Sequence, residues 1–197
     1  MVSERGPCGF ICPRRGRNGK STMQTNNEGP LQVVTLRPIG VIRSPHNEAN
    51  KTPIQPIYAE GTKGRAEILP EYADGLRDLE GFSHIWLIYW FHRASSTQLI
   101  VKPFLEDAFH GVFATRAPCR PNPIGFSIVR LMKREDNVLH LAEMDILDGT
   151  PLLDIKPYVS RFDHRRGARC GWQDNVDEQT ARIRGRRKFG DSDGWVG

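Results

Sequence analysis

The chain has 197 residues, 38% hydrophobic and 26% charged, with a formal net charge of +5. That length suits one globular domain with flexible ends. No apolar run approaches the ~20 residues of a membrane-spanning helix; the longest, residues 85–91, is the size of a strand. The basic N-terminus lacks the apolar segment of a secretory signal, so a cytoplasmic location is expected and no membrane partner. The four cysteines, Cys8, Cys12, Cys119 and Cys170, are too few and too unevenly spaced for a disulfide framework. Cys8 and Cys12 lack the second pair that a four-ligand zinc site needs, and no metal is expected.

The charge is unevenly placed. Residues 31–160 hold 14 Lys and Arg against 15 Asp and Glu, whereas residues 1–30 hold 5 against 2 and residues 161–197 hold 9 against 6. A near-neutral centre with basic ends attracts a polyanion at long range, and the same ends equally serve solubility.

Residues 1–30 are rich in Gly, Arg, Asn and Ser without apolar periodicity and read as a disordered leader. Gly19-Lys20-Ser21 resembles the end of a phosphate-binding loop, but Arg14 stands where the leading glycine belongs. Residues 32–42 are rich in β-branched residues and read as a strand interrupted at Pro38. Residues 44–56 hold Pro45, Pro53 and Pro56 and form a loop. A short strand follows at 64–69, then one helical turn at 72–76. Residues 83–93 carry the strongest β signal, apolar at every position from Ile85 to Phe91, which predicts burial on both faces. His84 and His92, eight apart, then share a face. A strand is expected at 111–115, a proline-stiffened loop at 116–123, a hairpin of 124–133 with 138–145, a tight turn at 148–151 and a last strand at 152–158. Residues 161–197 read as a loose tail with Trp172 anchoring its start. Many short strands with frequent turns and no long helical period argue for an all-β fold, a small barrel or a sandwich.

Chemistry concentrates in four loops. Arg116-Ala117-Pro118-Cys119-Arg120-Pro121-Asn122-Pro123-Ile124-Gly125 holds three prolines in six residues. Each fixes φ and removes a donor, so this loop is rigid before a ligand arrives. Its two arginines suit a carboxylate or phosphate, or are solvated loop residues. Asp148-Gly149-Thr150-Pro151 is a turn whose Asp accepts hydrogen bonds. Pro53-Ile54-Gln55-Pro56 is a second stiffened loop, and Phe91-His92-Arg93 ends the apolar strand.

Five ordered motifs carry a family resemblance: Pro38-Ile39-Gly40-Val41-Ile42-Arg43-Ser44-Pro45; Gly81-Phe82-Ser83-His84-Ile85-Trp86; Gly111-Val112-Phe113-Ala114-Thr115-Arg116 running into Arg120-Pro121-Asn122-Pro123-Ile124-Gly125; Asp148-Gly149-Thr150-Pro151; and Asp154-Ile155-Lys156-Pro157-Tyr158. Over residues 36–163 the chain closely resembles the tRNA N6-threonylcarbamoyladenosine methyltransferase family, also called TsaA-like. The resemblance implies a small all-β barrel over residues 31–163 that binds S-adenosyl-L-methionine without a dinucleotide-binding fold, a homodimer, and tRNA as partner. It assigns cofactor contacts to Pro53, Ile54, Gln55, His92, Arg93, Arg116, Phe126, Asp148, Gly149, Thr150 and Pro151. His92, Arg116 and Asp148 are the candidate catalytic residues, with His92 and Asp148 as proton acceptors, and Arg120 and Asn122 the candidate substrate contacts. The Asp-Pro-Arg-Pro motif of the family's C-terminal domain is absent, and residues 164–197 form a basic tail in its place, so a short form is expected. The expected activity is methylation of N6 of threonylcarbamoyladenosine beside the anticodon. The alternatives are a methyltransferase with another RNA or small-molecule acceptor, and a non-enzymatic cofactor-binding regulatory module.

Overall fold

A computed structural model describes residues 33–187. The chain divides into two compact units, Met1–Thr35 and Leu36–Gly197. In the first, only the exposed stretch 33–35 is described. The expected leader with Cys8, Cys12 and the Gly19-Lys20-Ser21 triplet lies outside the described residues.

The described residues of the second unit form eight strands: β1 (Gly40–Arg43), β2 (Lys63–Ile68), β3 (His84–Trp90), β4 (Ile100–Val101), β5 (His110–Gly111), β6 (Ile124–Glu135), β7 (Val138–Ala142) and β8 (Thr150–Pro157). Six of them close into an antiparallel barrel in the order β1-β2-β7-β6-β3-β8, while β4 and β5 pair separately. Closure gives each barrel strand two neighbours and leaves no open edge. The interior follows from period-two alternation. Ile85 and Leu87 of β3, Val129 of β6, Leu139 and Leu141 of β7 and Leu152 of β8 all point into the core and are sealed from solvent.

The two-sided burial expected of β3 does not hold. Its pattern alternates, with Ile85, Leu87 and Tyr89 buried but Trp86 and Ile88 half-buried and Trp90 exposed. A barrel strand has one interior face, and neighbours cover only part of the outer apolar surface. Trp86 packs against Phe126 and Tyr158, at 5.5 and 6.4 Å between ring centroids. Nor do His84 and His92 share a face. The strand stops at Trp90, and the His92 N–H donates to the Trp90 carbonyl at 2.8 Å in a tight turn that breaks the alternation.

Two further strands are shorter than the residue types suggest. The first begins only at Gly40, past Pro38. A Cβ at Gly40 would stand 2.4 Å from the Glu67 carbonyl oxygen across the β1–β2 pair, so the close approach requires glycine. In the second, His110–Gly111 gives way to a 3-10 turn over Val112–Ala114. The Thr115 hydroxyl closes it by donating to the Val112 carbonyl at 2.9 Å, a local bond that competes with the strand ladder. The β6–β7 hairpin forms as expected through Asp136 and Asn137, with Asp136 at φ 51°.

The segment after Ser160 is not loose within its described part. It forms a short helix α1 (Ser160–Asp163), a 3-10 turn at Gly171–Asn175 and a helix α2 (Glu178–Arg186). The Asp177 carboxylate caps α2 by accepting the Thr180 N–H at 2.9 Å, and Arg184 and Arg186 suit its C-terminal dipole. Trp172 is indeed an anchor: its indole N–H donates to the Ala114 carbonyl at 2.9 Å, and its ring stacks on His110. At the other end of α2, the Arg187 guanidinium lies 3.7 Å from the centroid of the Phe104 ring. No helix among the described residues is long and apolar enough to cross a membrane.

Candidate functional site

The strand pairing gathers the predicted loops at one end of the barrel. The C-terminal ends of β1, β3 and β7 meet the N-terminal ends of β2, β6 and β8 there, as Ile42 opposite Thr150 and Trp90 opposite Ile124 mark. The connections 44–62, 91–123 and 143–149 all leave from that end. Every predicted site residue therefore stands on or beside a loop of one rim.

Within it, three predicted residues touch directly. The Arg116 guanidinium donates to Gln55 Oε1, and its carbon lies 4.8 Å from the centroid of the Phe126 ring. Phe126 is 40% exposed on the outer face of β6. Cation–ring contact and a side-chain amide thus hold a planar guanidinium open to solvent on one side. The Gln55 loop is held in turn by backbone bonds: the Tyr58 N–H donates to the Gln55 carbonyl, and the Ile54 N–H donates to the Gly185 carbonyl of α2, both at 3.0 Å.

A second group forms around Asp148. Its carboxylate accepts the Ser44 N–H at 3.1 Å and faces Arg43 at 3.7 Å, and its own N–H donates to the His46 carbonyl at 2.7 Å. These bonds tie the 148–149 turn to the 44–46 loop, and Gly149 at φ 75° makes the turn possible. The same loop reaches the strand-end pair, for Arg93 donates to the Asn47 carbonyl at 2.9 Å. His92 beside it is half-buried. Burial and then the Arg93 charge push its pKa below the usual imidazole range, so the ring is neutral at pH 7 and can accept a proton. Asp148 lines a cleft of about 580 Å³ with Arg43, Lys63, Arg65 and Glu67. No other predicted site residue lines that cleft, so it is separate from the Arg116 cluster.

Arg120 and Asn122 serve their own loop. Arg120 donates to the Thr115 and Ala117 carbonyls, each at 3.3 Å, and the Asn122 carbonyl accepts the Ile124 N–H at 2.7 Å. The loop is thus braced internally as well as by its prolines. Pro53 is half-buried, Thr150 is buried and Pro151 already lies in β8, opposite Val41.

A buried polar group was missed by sequence reasoning. Asp145 is 8% exposed, and its Oδ1 has no hydrogen-bond partner among the described residues. Burial raises its pKa to about 7, against the opposing pull of a Ser127 hydrogen bond and the Arg116 charge. Ser127 also bonds the Tyr89 hydroxyl at 3.1 Å, and burial drives that phenol's pKa far up. The available signal was an acid set between Met144 and Ile146, both of them buried apolar residues.

A closed antiparallel barrel with rigid, polar loops on one rim and, among the described residues, no strand–glycine-rich turn–helix unit defines a class of small β-barrel binding proteins distinct from dinucleotide-binding folds. The chain belongs to the tRNA-methyltransferase O N-terminal domain family, whose model matches residues 41–164. It is 55% identical over 140 residues to a Pyrococcus abyssi protein named a probable S-adenosyl-L-methionine-binding protein, covering 71% of this chain and 76% of that one. It is 41% identical over 131 residues to the tRNA (adenine(37)-N6)-methyltransferase of Escherichia coli, covering 61% of this chain and 56% of that protein. A crystal structure of TrmO from Pseudomonas aeruginosa superposes with a TM-score of 0.61 at 43% identity, over 72% of this chain and 63% of that one. The similarity to the last two therefore spans less than two thirds of their length.

Proposed function

We propose that this protein binds S-adenosyl-L-methionine at the loop-bearing rim and transfers its methyl group to N6 of threonylcarbamoyladenosine in tRNA. The observation that carries the reading is the Gln55–Arg116–Phe126 cluster inside the family-matched segment. The donor set fits the cofactor. A guanidinium open on one side suits the methionine carboxylate, an exposed aromatic ring suits the adenine, and neither needs a metal. When bound, the cofactor supplies a methyl carbon already activated by the sulfonium.

The residues of this chain then have two tasks. The acceptor nitrogen is urea-like and weakly nucleophilic, so it must be held in line, a task for the rigid rim loops. It also gives up its proton, and neutral His92 is the group we assign to take it. Asp148, held by Ser44 and Arg43, shapes the neighbouring turn and stands as the second acceptor. Arg120 and Asn122 hold the loop against which the substrate lies.

The same reading makes residues 31–163 the binding domain, the protein a cytoplasmic homodimer, and the basic ends a source of attraction for RNA. Support for pairing comes from Leu99, Ile100, Phe109 and Phe113, which expose large apolar surfaces on and beside β4 and β5. The deciding experiment combines nucleoside mass spectrometry of tRNA from cells lacking the protein with transfer of labelled methyl to tRNA in vitro. Loss of N6-methyl-threonylcarbamoyladenosine, and its restoration by purified protein, is the expected result. Unchanged nucleosides together with methylation of another acceptor would move the function elsewhere.

A further inference from the structure

Helix α2 lies beyond the part of the chain that the family model matches, and its arginines would by charge alone be given to RNA. Its contacts point elsewhere. The Gly185 carbonyl accepts the Ile54 N–H at 3.0 Å, and the bare Cα of Gly185 lies against the ring of Tyr58. A Cβ there would stand 2.4 Å from that ring. Arg184, one residue earlier, pairs with Asp107 at 3.2 Å. Glycine is a poor helix former. Its presence in the last turn of α2 follows from the close approach to the 53–58 loop.

What α2 holds is the loop that holds Arg116. Ile54 is fixed by Gly185, Gln55 follows it, and Gln55 Oε1 accepts from the Arg116 guanidinium, which faces Phe126. We propose that α2 is a clasp for the cofactor site and that Gly185 is a positioning residue, acting on Arg116 through Ile54 and Gln55. A loop ordered in advance loses less freedom when a ligand binds, so docking of α2 sets the affinity of the rim for its cofactor. The proposal rests on the cofactor reading above.

The test uses the full chain and its Gly185→Ala variant. Alanine favours the helix but puts a methyl group into the Tyr58 ring, so helix formation and docking are separated. S-adenosylmethionine and its demethylated product are titrated by calorimetry, and exchange of the Ile54 amide is followed by hydrogen–deuterium exchange. The expected result is at least tenfold weaker binding of both ligands and faster Ile54 exchange, with helical circular dichroism and the melting transition retained. In Gly185→Ala/Tyr58→Ala, where the ring is gone, affinity should return to that of Tyr58→Ala alone. Should Gly185→Ala not fold, Arg184→Gln loosens the same helix from the solvent side, with faster Ile54 exchange and several-fold weaker binding expected. Wild-type cofactor affinity in the folded Gly185→Ala chain, or in Arg184→Gln, overturns the clasp and leaves the cofactor reading standing. So does weaker tRNA binding with unchanged cofactor binding. A wild-type protein that binds neither ligand overturns the cofactor reading and the clasp with it.

Discussion

The Arg116 guanidinium stands 4.8 Å from the centroid of the Phe126 ring, with Gln55 as its hydrogen-bonding partner. Lysine preserves the charge at this position but loses both the flat face and the fork. Arg116→Lys is expected to lower single-turnover methyl transfer at least tenfold, about 1.4 kcal/mol in the barrier. Its melting temperature should be that of the parent. Wild-type transfer rates would remove Arg116 from the site.

His92 sits below the ordinary imidazole pKa of 6.5 because it is half-buried and beside Arg93. If it accepts the proton of the acceptor nitrogen, activity falls on the acid side as the ring becomes charged. That fall begins at a pH below the usual imidazole range. His92→Gln should slow transfer and abolish this acid limb of the pH–rate profile. A variant that is slow but keeps the limb would assign the titration to another group.

Asp145 has a folded-state pKa of about 7 against an ordinary value of 3.8. The folded protein therefore binds the proton more tightly than the unfolded chain. The resulting stability is complete below pH 3.8 and is lost as pH rises through about 7. Asp145→Asn cannot ionise and should lack this loss of stability across that window. At pH 8 it should exceed the parent by up to ~4 kcal/mol. Urea titrations at several pH values measure this, and parallel curves for the two proteins would contradict it.

Gly125 of β6 stands opposite Tyr89 of β3. A Cβ there would lie 2.4 Å from the Tyr89 ring and 2.7 Å from that of Phe91. Gly125→Ala should cost ~1–3 kcal/mol of stability by overpacking. It should also disturb the Tyr89–Ser127 bond beneath the rim. Thermal melting within ~0.5 kcal/mol of wild type would mean that the rings move aside freely.

The strands of the barrel were written locally. Leu139 and Leu141 are set two apart around the polar His140, and Asp136-Asn137 turns the chain between β6 and β7. Proline and glycine placed the rim loops in the same way, since their effects on φ act within a residue or two. Such signals singled out the loops of Gln55 and Arg116, the family resemblance added Phe126, and neither named their contact. Tertiary structure alone decided that Trp86 and Ile88 lie on the outer wall, because an apolar run is the same string whether a strand is covered on one face or two. It likewise decided that Asp145 is sealed in the core and that α2 docks on the 53–58 loop. Those outcomes depend on residues brought together from far apart in the chain, and neither periodicity nor charge along the sequence records which distant neighbour a side chain will meet.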